Sequence, residues 1–90
     1  MSLPAAEQTE AFAEILREIQ AEIALAQARS AYAAPRVKLL AVSKTVDCGR
    51  AAACWQAGQA LGLAGLAENK VQELAQKCAQ LPPEVCWHFI

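Results

Sequence analysis

The chain has 90 residues, of which 56% are hydrophobic and 19% charged, with a net charge of −1. That is one small domain at most, and its charge excludes bulk electrostatic attraction to nucleic acid or to an anionic membrane surface. No basic segment runs into an apolar stretch at the start, and no apolar run reaches the roughly 18 residues of a membrane span, so the chain reads as a soluble cytoplasmic protein without a signal peptide.

Residues 5–33 read as one long helix. Phe12, Ile15, Leu16, Ile19, Ile23 and Ala26 recur at helical spacing and define its apolar face. Glu10, Glu14, Glu18 and Glu22 form a second row that reads as a solvated acidic face, with docking to a basic partner as the alternative. Pro35 is expected to end the helix by forcing the residue before it out of the α region.

Next comes VKLLAVSKT, residues 37–45. A continuous apolar run bounded by Pro35 and by Asp47 and Gly49 predicts a strand over about 37–44 that is buried on both faces, as in a parallel sheet covered by helices. The run ends at Lys44, and the carboxyl end of a parallel strand is where α/β proteins place their chemistry.

A helix follows at about 47–57, with Asp47 as N-cap, Trp55 as a buried anchor and Gly58 as the residue beyond its end. The segment 60–66, ALGLAGL, predicts a second buried strand, although its two glycines weaken it. Asn69 with Gln72 resembles a capping box, and Val71, Leu74, Ala75 and Cys78 give the apolar face of a third helix that Pro82 and Pro83 stop. Residues 85–90, VCWHFI, predict a third strand. The order α-β-α-β-α-β implies parallel strands with right-handed crossovers, and the third strand presents an exposed edge suited to self-association. Cys48, Cys54, Cys78 and Cys86 lack CxxC spacing, and His88, the only histidine, completes no zinc pattern. The cysteines read as reduced and mostly buried in helices.

Leu39–Thr45, then Ala57-Gly58-Gln59, then Glu68-Asn69 and Val71-Gln72-Glu73, then Trp87-His88-Phe89-Ile90, in that order, resemble the opening of the pyridoxal 5′-phosphate homeostasis protein family, whose fold is similar to the N-terminal domain of alanine racemase. The resemblance covers about residues 37–90. It implies that residues 1–90 are the N-terminal portion of a PLP-binding (β/α)8 TIM barrel, with the cofactor held as an internal aldimine on Lys44. The chain departs from the family pattern at Ala67, where glycine is usual, at Lys70, where tyrosine is usual, and in about four additional residues between Gln59 and Glu68.

Capture of an aldehyde needs a neutral primary amine beside it, and a lysine ending a buried strand suits that task. Asn69 is expected to offer a side-chain amide near the cofactor or to cap the third helix. Ser43 would hydrogen-bond near the lysine or satisfy local backbone. His88 would face the barrel interior near the ring or be a hydrogen-bonded core residue. Glu68 and Glu73 receive no role. The expected function is PLP binding and homeostasis without turnover. The alternatives are a non-binding remnant or interaction module, and a PLP-dependent amino-acid racemase. The racemase would need a second acid–base residue, and the only tyrosine is Tyr32.

Overall fold

A computed structural model describes residues 4–30 and 37–90. Tyr32 and Pro35 lie outside the described residues. The elements are α1 (Ala5–Arg29), β1 (Leu40–Val42), α2 (Cys48–Gln59), β2 (Gly65–Glu68), α3 (Val71–Gln80) and β3 (Trp87–Phe89). The three strands form a parallel sheet in the order β1-β2-β3. The chain is therefore mixed α/β, as its alternating pattern predicts. No helix among the described residues is long and apolar enough to cross a membrane.

The helix–strand boundaries follow from local chemistry. α1 stops at Arg29 because Ser30 turns extended (φ −70°, ψ 138°), short of the end expected for it at residue 33. Its face also differs from the expected one. Ala13 and Leu16 are buried, Phe12, Ile19 and Ile23 are half-buried, and Ile15 and Ala26 are exposed. The stripe that reaches the core is thus narrower than the apolar residues in the helix. Glu10, Glu14, Glu18 and Glu22 are all exposed, and Arg17 pairs with Glu10 at 3.5 Å.

α2 begins as expected, with the Asp47 carboxylate accepting a hydrogen bond from the Arg50 N–H at 2.8 Å. It ends differently. Gly58 is inside the helix, and the left-handed residue is Gly62 (φ +80°). Leu63 N–H donates to Gly58 O at 2.9 Å across Gly62, which is the six-to-one bond of a Schellman cap. Gly58 is needed for a different reason, since a Cβ there would lie 2.6 Å from the Cβ of Leu63. The segment 60–64 is therefore a helix terminus and turn rather than strand, and β2 starts only at Gly65. Gln20 of α1 ties this connection down by donating from Nε2 to Leu61 O at 2.8 Å.

Strand alternation divides the sheet into two faces. In register, Ala41 pairs with Leu66 and Leu66 with Trp87, while Val42 pairs with Ala67 and Ala67 with His88. Leu66 joins Ala13, Leu16, Ala51, Trp55, Ala57, Leu63, Leu81 and Val85 in one buried core, against which Ala41 and Trp87 pack. The opposite row is open only towards its edges, since Ala67 at its centre is 1% exposed. Val42 is 51% exposed, and Leu40 and His88 are half-buried. The expectation of a first strand buried on both faces is thus corrected: Leu40 and Ala41 are half-buried and Val42 is exposed. The four cysteines are free, and none is fully buried, since Cys48 and Cys54 are half-exposed and Cys78 and Cys86 are exposed.

Gly65 makes a sharp prediction. A Cβ at this position would lie 2.2 Å from the carbonyl oxygen of Cys86, which belongs to the adjoining backbone and cannot rotate away. Gly65→Ala is expected to force β2 and β3 apart and to cost about 2 kcal/mol or more, at the upper end of overpacking effects. Urea unfolding checks this, and an unchanged midpoint would refute it.

Candidate functional site

α3 docks on the sheet through charge rather than through an apolar stripe. The expected face of Val71, Leu74, Ala75 and Cys78 is corrected: Val71 is 69% exposed, Ala75 and Cys78 are exposed, and Leu74 is half-buried. The one buried residue of the helix is Lys77, whose side chain is 4% exposed. Nor does Asn69 cap the helix. The N-cap position is Lys70, and no side chain satisfies it.

Lys77 Nζ donates to Glu68 Oε2 at 2.8 Å and to the backbone oxygen of Ser43 at 2.6 Å. Ser43 Oγ also donates to Glu68 Oε2 and contacts Ala67 O at 3.3 Å, so its bonds run across to β2 rather than to local backbone. Glu68 is fully buried, and its Oε1 has no hydrogen-bond partner among the described residues. A buried carboxylate at the end of an apolar strand is costly unless it is paired, and Lys77 and Ser43 supply the pairing. These three side chains knit the carboxyl ends of β1 and β2 to α3.

The same cluster shapes the segment after β1. Val46 N–H donates to Ser43 O at 3.1 Å, closing a four-residue turn with Lys44 and Thr45 at its centre. Thr45 has φ +65°, the one positive φ among the described non-glycine residues. A positive φ at the third position alone makes this a type II turn, a place where glycine is usual and a β-branched residue is strained. Glu73 of α3 supports it, with Oε2 accepting from Thr45 N–H at 3.0 Å and lying 3.7 Å from Lys77 Nζ. Thr45, Val46, Asp47, Cys48, Glu73 and Lys77 line an open cleft of about 350 Å³ between this turn and α3.

Acceptance of the Thr45 N–H bond holds the Glu73 carboxyl below its ordinary value of 4.5, and the charges of Lys77 and Lys70 and the adjoining Glu68 act in the same direction, against some opposition from desolvation. A depressed folded-state value stabilises the fold above the ordinary value, and this contribution is lost as pH falls through the depressed one. The stability advantage of the wild type over Glu73→Gln is therefore expected to be full at pH 6 and to shrink as pH falls below 4.5. Urea midpoints of the two proteins measured in parallel at pH 6, 4 and 3 check this, because all other carboxylates are common to both. A difference that grows on acidification would contradict it.

Of the four residues singled out in the sequence, Ser43 is buried, His88 is half-buried on β3, and Lys44 and Asn69 are exposed beyond the ends of β1 and β2. His88 shares the open face with Val42 and Ala67 and is half-buried, its Nε2 lying 3.5 Å from Cys86 Sγ. Lys44 lies in the turn after β1 and Asn69 in the bend after β2, at the carboxyl ends of these strands, and both are exposed. Ser43 belongs to the covered side, its hydroxyl engaged with Glu68. Glu68, Glu73 and Lys77 were not singled out as a cluster. Their signal was a carboxylate ending the otherwise apolar GLAE strand, since such a group demands a buried cation. Comparison with protein-family models, with curated proteins and with solved structures finds no match.

Proposed function

We propose that the chain binds pyridoxal 5′-phosphate through Lys44, as the resemblance to the PLP homeostasis family implies, and that its sheet is the first part of a (β/α)8 barrel whose interior is the open face. The observation that carries the reading is the setting of Lys44. It is exposed, it makes no hydrogen bond or ion pair to a described residue, and it sits on a strained turn at the carboxyl end of a parallel strand. Strain of this kind persists only where surrounding structure enforces it, and it concentrates at functional sites.

The residues present fit this part of such a site. Lys44 offers a primary amine free of competing carboxylates, because Glu68 and Glu73 are engaged by Lys77, Ser43 and Thr45. Asn69 offers an amide at the end of the neighbouring strand, and His88 an imidazole on β3. The cofactor, when bound, supplies an aldehyde that a neutral amine attacks. The buried network keeps Ser43 and the turn fixed while the Lys44 side chain remains free to reach.

The test is stoichiometric pyridoxal 5′-phosphate followed by borohydride and peptide mapping. The expected result is an adduct on Lys44 in preference to Lys38 and Lys70, which are also exposed. An equal distribution over the three would overturn the reading.

A further inference from the structure

We propose that Glu73 is a positioning residue for Lys44, acting from α3 through the backbone of Thr45. This deepens the proposed function, and the part that concerns Lys44 rests on it. The argument begins with a mismatch. Thr45 is β-branched and adopts φ +65°, a region where its side chain crowds the backbone. Nothing in the residue favours this conformation, so a contact must impose it. The turn's own bond, Val46 N–H to Ser43 O, does not suffice, because a type I turn closes with the same bond and a negative φ at the third position.

What distinguishes the observed turn is where the Thr45 N–H goes. It donates to Glu73 Oε2 at 3.0 Å, 28 residues further along the chain. Glu73 is itself held by Lys77, one helical turn on, whose ammonium is anchored at Ser43 O and Glu68. The carboxylate thus lies in a frame fixed at both strand ends and reaches out of it to one backbone N–H, that of the residue after Lys44. The path of the chain at Lys44 is thereby set by α3, and the strain at Thr45 is offset by a charge-assisted bond.

The design predicts its own rescue. Glycine adopts a positive φ without crowding, so Thr45→Gly should make Glu73 dispensable. Glutamine keeps an acceptor oxygen, so Glu73→Gln should keep the turn.

The experiment measures two quantities on the full chain: exchange of the Thr45 amide by NMR, and the rate of borohydride-trapped pyridoxal 5′-phosphate labelling at Lys44 relative to Lys38. In Glu73→Ala the Thr45 amide is expected to exchange at least tenfold faster, while the amide of Leu66, which donates to Cys86 O within the sheet, is unchanged. Relative labelling at Lys44 is expected to fall at least threefold. Glu73→Gln should stay within twofold of wild type on both measures, and Thr45→Gly with Glu73→Ala should restore the labelling. Unchanged Thr45 exchange in Glu73→Ala with Leu66 still protected would overturn the proposal. So would accelerated exchange without any change in relative labelling, which would make Glu73 structural only. If wild-type Lys44 is not labelled preferentially, the binding function fails, and the positioning of Lys44 by Glu73 for that function falls with it. The exchange result alone then reports whether Glu73 holds the turn, so the two failures are separable.

Discussion

Lys77→Met is expected to destabilise the protein by about 3–5 kcal/mol, the cost of leaving a buried charge without its partner. Glu68 is 0% exposed, and its Oε2 takes bonds from Lys77 and Ser43 while its Oε1 already has no partner among the described residues. Methionine fills the volume of the lysine stem but offers no donor, so the carboxylate would rely on one serine hydroxyl. A domain of this size has about 5 kcal/mol of stability to lose, so the variant should keep only about 0–2 kcal/mol and unfold in mild urea at 25 °C. The companion variant separates charge from packing. When Glu68→Leu is combined with Lys77→Met, both charges leave together, and replacement of a buried pair by apolar groups is often neutral or stabilising. Most of the loss should return, as read by circular dichroism through urea unfolding. A single substitution costing less than about 1 kcal/mol, or a double variant less stable than Lys77→Met alone, would show that the pair does not hold α3 to the sheet.

That cluster marks the boundary of what the amino-acid pattern reveals. The alternation of helices and strands was legible because apolar runs such as LLAV and punctuation such as Asp47 act locally. The N-cap at Asp47 and the buried anchor at Trp55 are of this kind. The orientation of α3 was not legible. Val71, Leu74, Ala75 and Cys78 make an acceptable apolar stripe, and so do Leu74 and Leu81 with Lys77 between them. Hydrophobic periodicity prefers the first, and the buried carboxylate at Glu68 decides for the second. Local pattern carries no information about which strand end a helix meets, and a long-range ion pair overrides it.

The two glycines near the end of α2 show the same limit in a milder form. Gly58 and Gly62 are equivalent as sequence signals for a helix end. Leu63 decides between them, because it packs onto Gly58 so closely that no Cβ fits, leaving Gly62 to take the left-handed position. At the candidate site, the apolar run located β1 but not its end: the strand stops at Val42 rather than at residue 44, and Lys44 is exposed in the turn that follows. Nor was the strain at Thr45 legible, because a threonine after a strand is unremarkable until its N–H is seen to reach α3.

Lys44→Ala should abolish preferential trapping of pyridoxal 5′-phosphate at this position while leaving stability within about 0.5 kcal/mol of wild type, the range of surface substitutions that break no contact. The expectation follows from two properties of the residue. It is exposed, and it makes no hydrogen bond or ion pair to a described residue, so the fold loses nothing with its side chain. It also occupies the second position of the turn, where alanine fits the backbone without strain, since the positive φ is at Thr45. Lys44→Arg sharpens the test, because arginine keeps the charge and much of the reach but remains protonated and does not attack an aldehyde. If binding depended only on a positive charge beside a phosphate, arginine would retain the cofactor noncovalently, and its absorbance would persist without any borohydride-stable adduct. If the amine itself makes the bond, both variants lose the trapped cofactor, to below about one tenth of wild type, a difference of about 1.4 kcal/mol or more in capture. Urea midpoints measured on the same samples show whether the loss is chemical or structural. Trapping that survives in Lys44→Ala, or a loss that appears only together with unfolding, would remove Lys44 from the centre of the site.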